Sequence, residues 1–117
     1  MEFKHEMING NIVITMSGDL IGENNGPELT KFVSEKIQEG HYHCAVDLSQ
    51  VRYMNSSGIG ILITLLTKFR NHEGEMVLIN PSETIRKLLI ITKLNKIFAI
   101  SETRDEAMAS LQSGPSN

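Results

Sequence analysis

The segment that most constrains the fold is residues 55–71, which predict a helix that is apolar around most of its circumference. Its apolar side chains are those of Ile59, Ile61, Leu62, Ile63, Leu65, Leu66 and Phe69. A helix with apolar side chains on nearly every side is stable in water only when other elements cover most of it. The helix is therefore expected to be mostly buried, and the rest of the chain must supply its cover.

The remaining segments alternate between strand and helix signals. Asn9-Gly10 separates two strand-like segments and favours a tight hairpin, whose turn requires positive φ at both residues. In chain order we predict strands over 3–8 and 11–17, a helix from Pro27 to Gly40, a strand over 43–48, a tight segment over 49–54, the central helix, a strand over 76–79, a helix from Pro81, a strand over 97–100 and a helix from Thr103 to about Leu111. Helical crossovers join parallel strands, whereas a hairpin joins antiparallel ones. The order ββαβαβαβα thus predicts an α/β domain with a mixed sheet of about five strands.

Length and composition favour a small cytoplasmic binding protein. Residues 1–112 fit one domain, and residues 113–117 have the composition of a flexible tail. The formal net charge is -3 and the Lys and Arg residues are scattered, which argues against a nucleic-acid partner. The single cysteine, Cys44, suits a reducing compartment. There is no signal-peptide core and no apolar stretch of ~20 residues, so we expect no membrane insertion.

The sequence gives little support for catalysis or for a cofactor. The four histidines, His5, His41, His43 and His72, have no ligand spacing typical of a metal site. Gly58-Ile59-Gly60 lacks the third glycine of a dinucleotide-binding loop. A hydrolase with Ser56 as nucleophile is one hypothesis, but the G-x-S-x-G pattern is absent. We therefore expect no catalytic residue, no metal and no cofactor.

The start of the central helix is the best candidate for a functional site. Asn and Ser are favoured N-caps because their side chains accept from free N–H groups of the first turn. The same N–H groups and the helix dipole favour an anion. A phosphate on a serine there would add roughly 1.5 to 2 negative charges to the surface. Ordinary capping is the simpler explanation of Asn55, Ser56 and Ser57, and on the local pattern alone we favour it over a switch.

Residues 53–60, which read YMNSSGIG, resemble the signature of the anti-sigma factor antagonist family, also called STAS domains. Further similarity lies in Gly18-Asp19-Leu20, in the strand that begins at Gly74, and in the segment from Ile85 to Phe98. The resemblance covers most of the chain and implies a STAS-like α/β domain.

The resemblance also implies a phosphorylation switch. In this family an anti-sigma factor that is also a serine kinase phosphorylates the serine that follows an acid. The unphosphorylated antagonist binds that kinase, which releases the sigma factor, and a PP2C-like phosphatase reverses the phosphorylation. By position, the phosphoacceptor is Ser56. The partner-binding residues expected from the same motifs are Asn55, Ser57, Gly58, Gly22, Glu23 and Asn24.

The chain departs from the family pattern near this site. Asn55 stands where phosphorylated members usually have Asp, and Ile21 stands where an acid is common. Loss of two acids could slow a kinase, or it could remove repulsion against a phosphate. The alternative is a STAS scaffold or adaptor that is not phosphorylated, in a signalling or lipid-transport complex. Lys93 replaces a family glycine, which costs about 1 kcal/mol if its backbone is left-handed.

Overall fold

The computed structural model describes residues 2–21 and 26–112. In these two ranges the elements are β1 (Glu2–Ile8), β2 (Asn11–Leu20), α1 (Gly26–Gln38), β3 (His43–Met54), α2 (Ser56–Arg70), β4 (Glu75–Ile79), α3 (Glu83–Ile91), a 3-10 turn (Leu94–Lys96), β5 (Ala99–Ser101) and α4 (Arg104–Gln112). The predicted order ββαβαβαβα is confirmed. The predicted tail over 113–117 lies outside the described residues.

The five strands form one mixed sheet in the order β1-β2-β3-β4-β5. β1 is antiparallel to β2, and the other neighbouring pairs are parallel. The hairpin turn has positive φ at both Asn9 (53°) and Gly10 (82°), as predicted from the dipeptide. The connections that contain α1, α2 and α3 are the helical crossovers that parallel strands require.

The sheet is covered on both faces. On one face, α1, α2 and α3 pack on the large core, to which β3 contributes Cys44, Val46 and Leu48. On the other face, α4 covers a smaller cluster made by Ala45, Val77, Ile79, Ala107 and Leu111. The alternation of β3 side chains between the two faces was predicted for 43–48 and is confirmed. No helix in the described residues is long and apolar enough to cross a membrane.

β2 and β3 extend well beyond the predicted strands, whereas β1 and β4 each begin one residue earlier than predicted. β2 ends at Leu20 instead of residue 17, and the segment 49–54, predicted as a tight connection, is the second half of β3. Those extensions pair with each other, Leu20 opposite Met54, after register shifts between Thr15 and Ser17 and between Gly18 and Asp19. Bulges of this kind interrupt the period-two alternation from which a strand is recognised.

The remaining differences concern the surface of α2 and the approach to β5. Leu62, Leu65, Leu66 and Phe69 of α2 are buried, but Ile63 is exposed, so the helix is less covered than predicted. β5 begins at Ala99 instead of residue 97, because the 3-10 turn over Leu94–Lys96 is followed by a turn and a bend at Ile97 and Phe98. Lys93 has φ 63° and lies in the left-handed region, so the condition that the sequence analysis set for a strained lysine at this position is met.

Candidate functional site

Ser56 is the first residue of α2 and its side chain is exposed. β3 ends two residues earlier, so the chain passes directly from a central strand into the helix. Asn55 lies between them as the N-cap, in an extended conformation, and its Oδ1 accepts a hydrogen bond from the Gly58 N–H at 2.8 Å. The predicted helix start and the predicted position of Ser56 at its positive end are therefore both observed.

Two backbone N–H groups at this helix end have no hydrogen-bond partner among the described residues. The N–H of Gly58 is taken by the Asn55 side chain, and the N–H of Ile59 donates to the Asn55 carbonyl at 2.9 Å. The N–H groups of Ser56 and Ser57 make no hydrogen bond within residues 2–21 and 26–112. Unpaired N–H groups at a helix N-terminus carry the positive end of the helix dipole. An added anion at Ser56 would meet these donors.

The first turn of α2 lies directly against the end of β2. A Cβ atom built on Gly58 would lie 2.0 Å from the Leu20 carbonyl oxygen, so only glycine allows this approach. The same carbonyl accepts a hydrogen bond from the Asn55 N–H at 3.3 Å. Gly58, predicted as a partner-binding residue, is buried, and close packing is the physical reason for a glycine there. Ser56 is consequently held on a rigid support.

The other predicted contact residues divide into exposed, half-buried and undescribed positions. Ser57 is exposed beside Ser56, and Asn55 is half-buried because of its capping bond. Gly22, Glu23 and Asn24 lie outside the described residues. An acid that the sequence analysis did not consider for the site, Asp19, lies opposite Tyr53 in the β2–β3 pair and forms an exposed ion pair with Arg52 at 3.4 Å.

An apolar groove of about 690 Å³ runs from Ser56 to α3. Its lining includes Tyr53, Ser56, Ile59, Lys87, Leu88 and Ile91. Tyr53 and Ile91 are exposed, at 52% and 77% of their surface, which is high for large apolar side chains. Sequence reasoning missed the groove. Its signal was the run Leu88-Leu89-Ile90-Ile91, which has more apolar residues than the inner side of one amphipathic helix needs.

The sequence also matches a known domain family. Residues 3–107 match the STAS domain family over most of the chain. The chain belongs to that family. An anti-sigma-B factor antagonist of Staphylococcus epidermidis is 30% identical to this STAS domain over 76 residues, covering 65% of the chain and 70% of the relative.

Solved structures share the fold of this STAS domain. An anti-sigma factor antagonist from Mycobacterium paratuberculosis superposes with a TM-score of 0.81 at 23% identity, covering 95% of this chain and 93% of that one. The Bacillus cell fate determinant SpoIIAA, in a phosphorylated form, superposes with a TM-score of 0.75 at 24% identity, covering 92% and 97%. At these identities the similarity establishes the architecture.

The histidines of the STAS domain make contacts away from Ser56. His41 Nδ1 lies 3.1 Å from the Gly10 carbonyl oxygen at the hairpin, and His72 stacks on Tyr42 with ring centroids 5.3 Å apart. His5 lies against Phe32, with ring centroids 4.3 Å apart. His43 begins β3, whereas Ser56 follows its far end. These positions give no support to the hypothesis that a histidine activates Ser56 as a nucleophile.

Cys44 is a core residue. Its side chain is completely buried in β3, and burial without a charged partner raises the pKa of the thiol far above its usual range. The reactive thiolate form is therefore disfavoured. Among the described residues, no group of three or more His, Cys, Asp or Glu side chains is arranged to hold a metal ion.

Proposed function

We propose that this STAS domain is an anti-sigma factor antagonist that binds a serine-kinase anti-sigma factor and is switched off by phosphorylation of Ser56. The observation that carries the proposal is the exposed Ser56 hydroxyl at the first position of a helix anchored in the core. Family membership and relatives named as anti-sigma factor antagonists support it. The action is on another protein, in the cytoplasm, without contact to nucleic acid.

The charge change explains how the switch would work. Without phosphate, the surface around Ser56 combines a neutral hydroxyl with the apolar groove, and a partner can cover both. Phosphorylation adds roughly 1.5 to 2 negative charges. The N–H groups of Ser56 and Ser57, which have no partner among the described residues, can bond the phosphate locally without moving α2. The new charge then stays on the docking surface. A partner that covers this surface must remove water from the phosphate, at a cost in binding free energy, and acidic groups on the partner would be repelled.

Phosphosite mapping tests the proposal directly. Incubation with magnesium, ATP and a serine-kinase anti-sigma factor from the same organism is expected to add one phosphate at Ser56. Ser57→Ala, the matched neighbour, should still be modified, whereas Ser56→Ala should not. Ser56→Ala should bind the kinase stably, and a PP2C-like phosphatase should restore binding to the phosphorylated wild type. Phosphate on another residue, or none with a kinase shown to be active, contradicts the switch.

A second candidate function has the same fold but no phosphorylation switch. Asn55 and Ile21 favour it, because acids that accompany the phosphorylated serine in the family are absent from both positions. The protein would then be a constitutive scaffold or adaptor in a signalling or lipid-transport complex. Partner binding that is equally tight for the wild type and for Ser56→Asp would support the scaffold, whereas weaker binding by Ser56→Asp supports the switch.

A further inference from the structure

β1 leaves one long edge of the sheet open. It has seven residues and, within the described residues, pairs only with β2, whereas the strand at the opposite edge, β5, has three. The two-residue turn closes on the pair Ile8 and Asn11, so alternate residues from Ile8 direct their backbone groups toward β2. The backbone groups of Phe3, His5 and Met7 consequently point outward. An edge of this kind is a template for another strand.

The sequence of β1 is complementary to itself when His5 lies on a two-fold axis. In that antiparallel register Lys4 of each copy lies opposite Glu6 of the other, and Phe3 lies opposite Met7. If one copy is shifted by two residues along the other, which is the next register that pairs the same outward backbone groups, Lys4 lies opposite Lys4 or Glu6 lies opposite Glu6. Like charges directly opposite are unfavourable and opposite charges favourable. Charge therefore selects the register centred on His5.

The side chains on both faces of β1 are already positioned for such a contact. Glu6 is held by Arg104, whose Nη1 lies 2.6 Å from Glu6 Oε1, so its carboxylate has a fixed place on the α4 face. On the α1 face, Phe3 and His5 pack against Phe32. Met7, beside them, is 38% exposed and has room for a partner's side chain. The edge thus offers an apolar strip on one face and alternating charges on the other.

We propose that two copies of this chain associate through antiparallel pairing of their β1 strands, which joins the two sheets into one. Phe3, His5 and Met7 of both copies would form about six backbone hydrogen bonds across the axis. The contact is isologous, so it closes as a dimer and leaves no further edge of this type. Since β2 lies between β1 and β3, the Ser56 surface stays accessible in each copy, and the dimer is independent of the proposed function.

Charge exchange in β1 tests the register. Sedimentation velocity over a concentration series is expected to show a monomer–dimer equilibrium for the wild type. Lys4→Glu or Glu6→Lys alone creates two symmetric like-charge pairs and should weaken dimerisation by about tenfold. The double exchange restores both attractive pairs and should recover dimerisation. Lys96→Glu, an exposed lysine remote from β1, makes the same charge change as Lys4→Glu and should have no effect.

The thermal unfolding of each variant is measured as well. Glu6→Lys also removes the ion pair with Arg104, so this variant must be shown to fold. Carbodiimide cross-linking of a mixture of labelled and unlabelled chains should yield a mixed-isotope Lys4–Glu6 peptide. A wild type that stays monomeric at every concentration overturns the proposal. It is also overturned by a double exchange that dimerises no better than the single ones, or by cross-links between copies that involve other surfaces only.

Discussion

Gly58 shows how one missing side chain positions the candidate site. Alanine there would place a methyl group against the Leu20 carbonyl oxygen, a backbone atom that cannot turn away as a side chain could. We expect Gly58→Ala to lower the free energy of unfolding by about 3 kcal/mol, since added volume at a packed contact forces the backbone apart. Chemical denaturation measures the change, and chemical shifts of Ser56 should move with it.

Gly60 is the matched control for this prediction. It lies in the same helix, two residues further along the same motif, and a Cβ added there meets nothing within 4 Å. Gly60→Ala should therefore raise the free energy of unfolding by about 0.5 to 1 kcal/mol, because alanine loses less conformational entropy than glycine in a helix. Equal losses for both variants would show that Gly58 has no special packing role.

At the residue scale the sequence predicted the positions of Asn55 and Ser56 well. Capping is a local interaction, so the residue types alone locate the helix start. The contact between Gly58 and Leu20 could not be predicted in the same way. It joins residues that are distant in the chain, and it exists only because the extended ends of β2 and β3 pair beside the helix.

At the scale of elements, the backbone after α3 contains a strained residue, Lys93, whose cost in unfolding free energy can be measured. Lys93 follows the helix and has φ 63°, a conformation that is costly for any residue with a Cβ. Lys93→Gly should raise the free energy of unfolding by about 1 kcal/mol. Lys96→Gly, at a lysine that is also exposed but lies in the following 3-10 turn without positive φ, should lower it instead. Urea denaturation of both variants measures the difference, and a destabilised Lys93→Gly contradicts the strain.

Element boundaries were predictable only where the pattern is regular. The helix predicted from Thr103 is α4, and its start is capped by Thr103, whose Oγ1 accepts from the Glu106 N–H at 3.1 Å. In β3, residues 43–48 alternate and were predicted as a strand. Beyond Leu48 only Val51 and Met54 are buried, so the pattern loses its period of two. Strand pairing with β2 maintains the strand there, and pairing is not visible in one sequence.

At the scale of the whole molecule, the order of elements was predictable because α1, α2 and α3 each connect two parallel strands. Once the hairpin and the three crossovers are recognised, few topologies satisfy the handedness and adjacency rules. The groove beside Ser56 was not predictable, because its walls come from β3, α2 and α3 and depend on how these elements pack together. The outer surface of α3 therefore adds a candidate contact region that the motif does not contain.

That contact region gives the last prediction. Ile91 lines the groove and is 77% exposed, whereas its neighbour Ile90 is 55% exposed and does not line it. If the anti-sigma factor covers Ser56 and the groove together, Ile91→Gln should weaken binding of the unphosphorylated protein about tenfold, because a buried apolar contact is lost. Ile90→Gln should bind as the wild type does. Both variants should unfold at the wild-type temperature, since neither side chain is buried. Titration calorimetry measures the affinities, and equal losses for the two variants would place the partner elsewhere on α3.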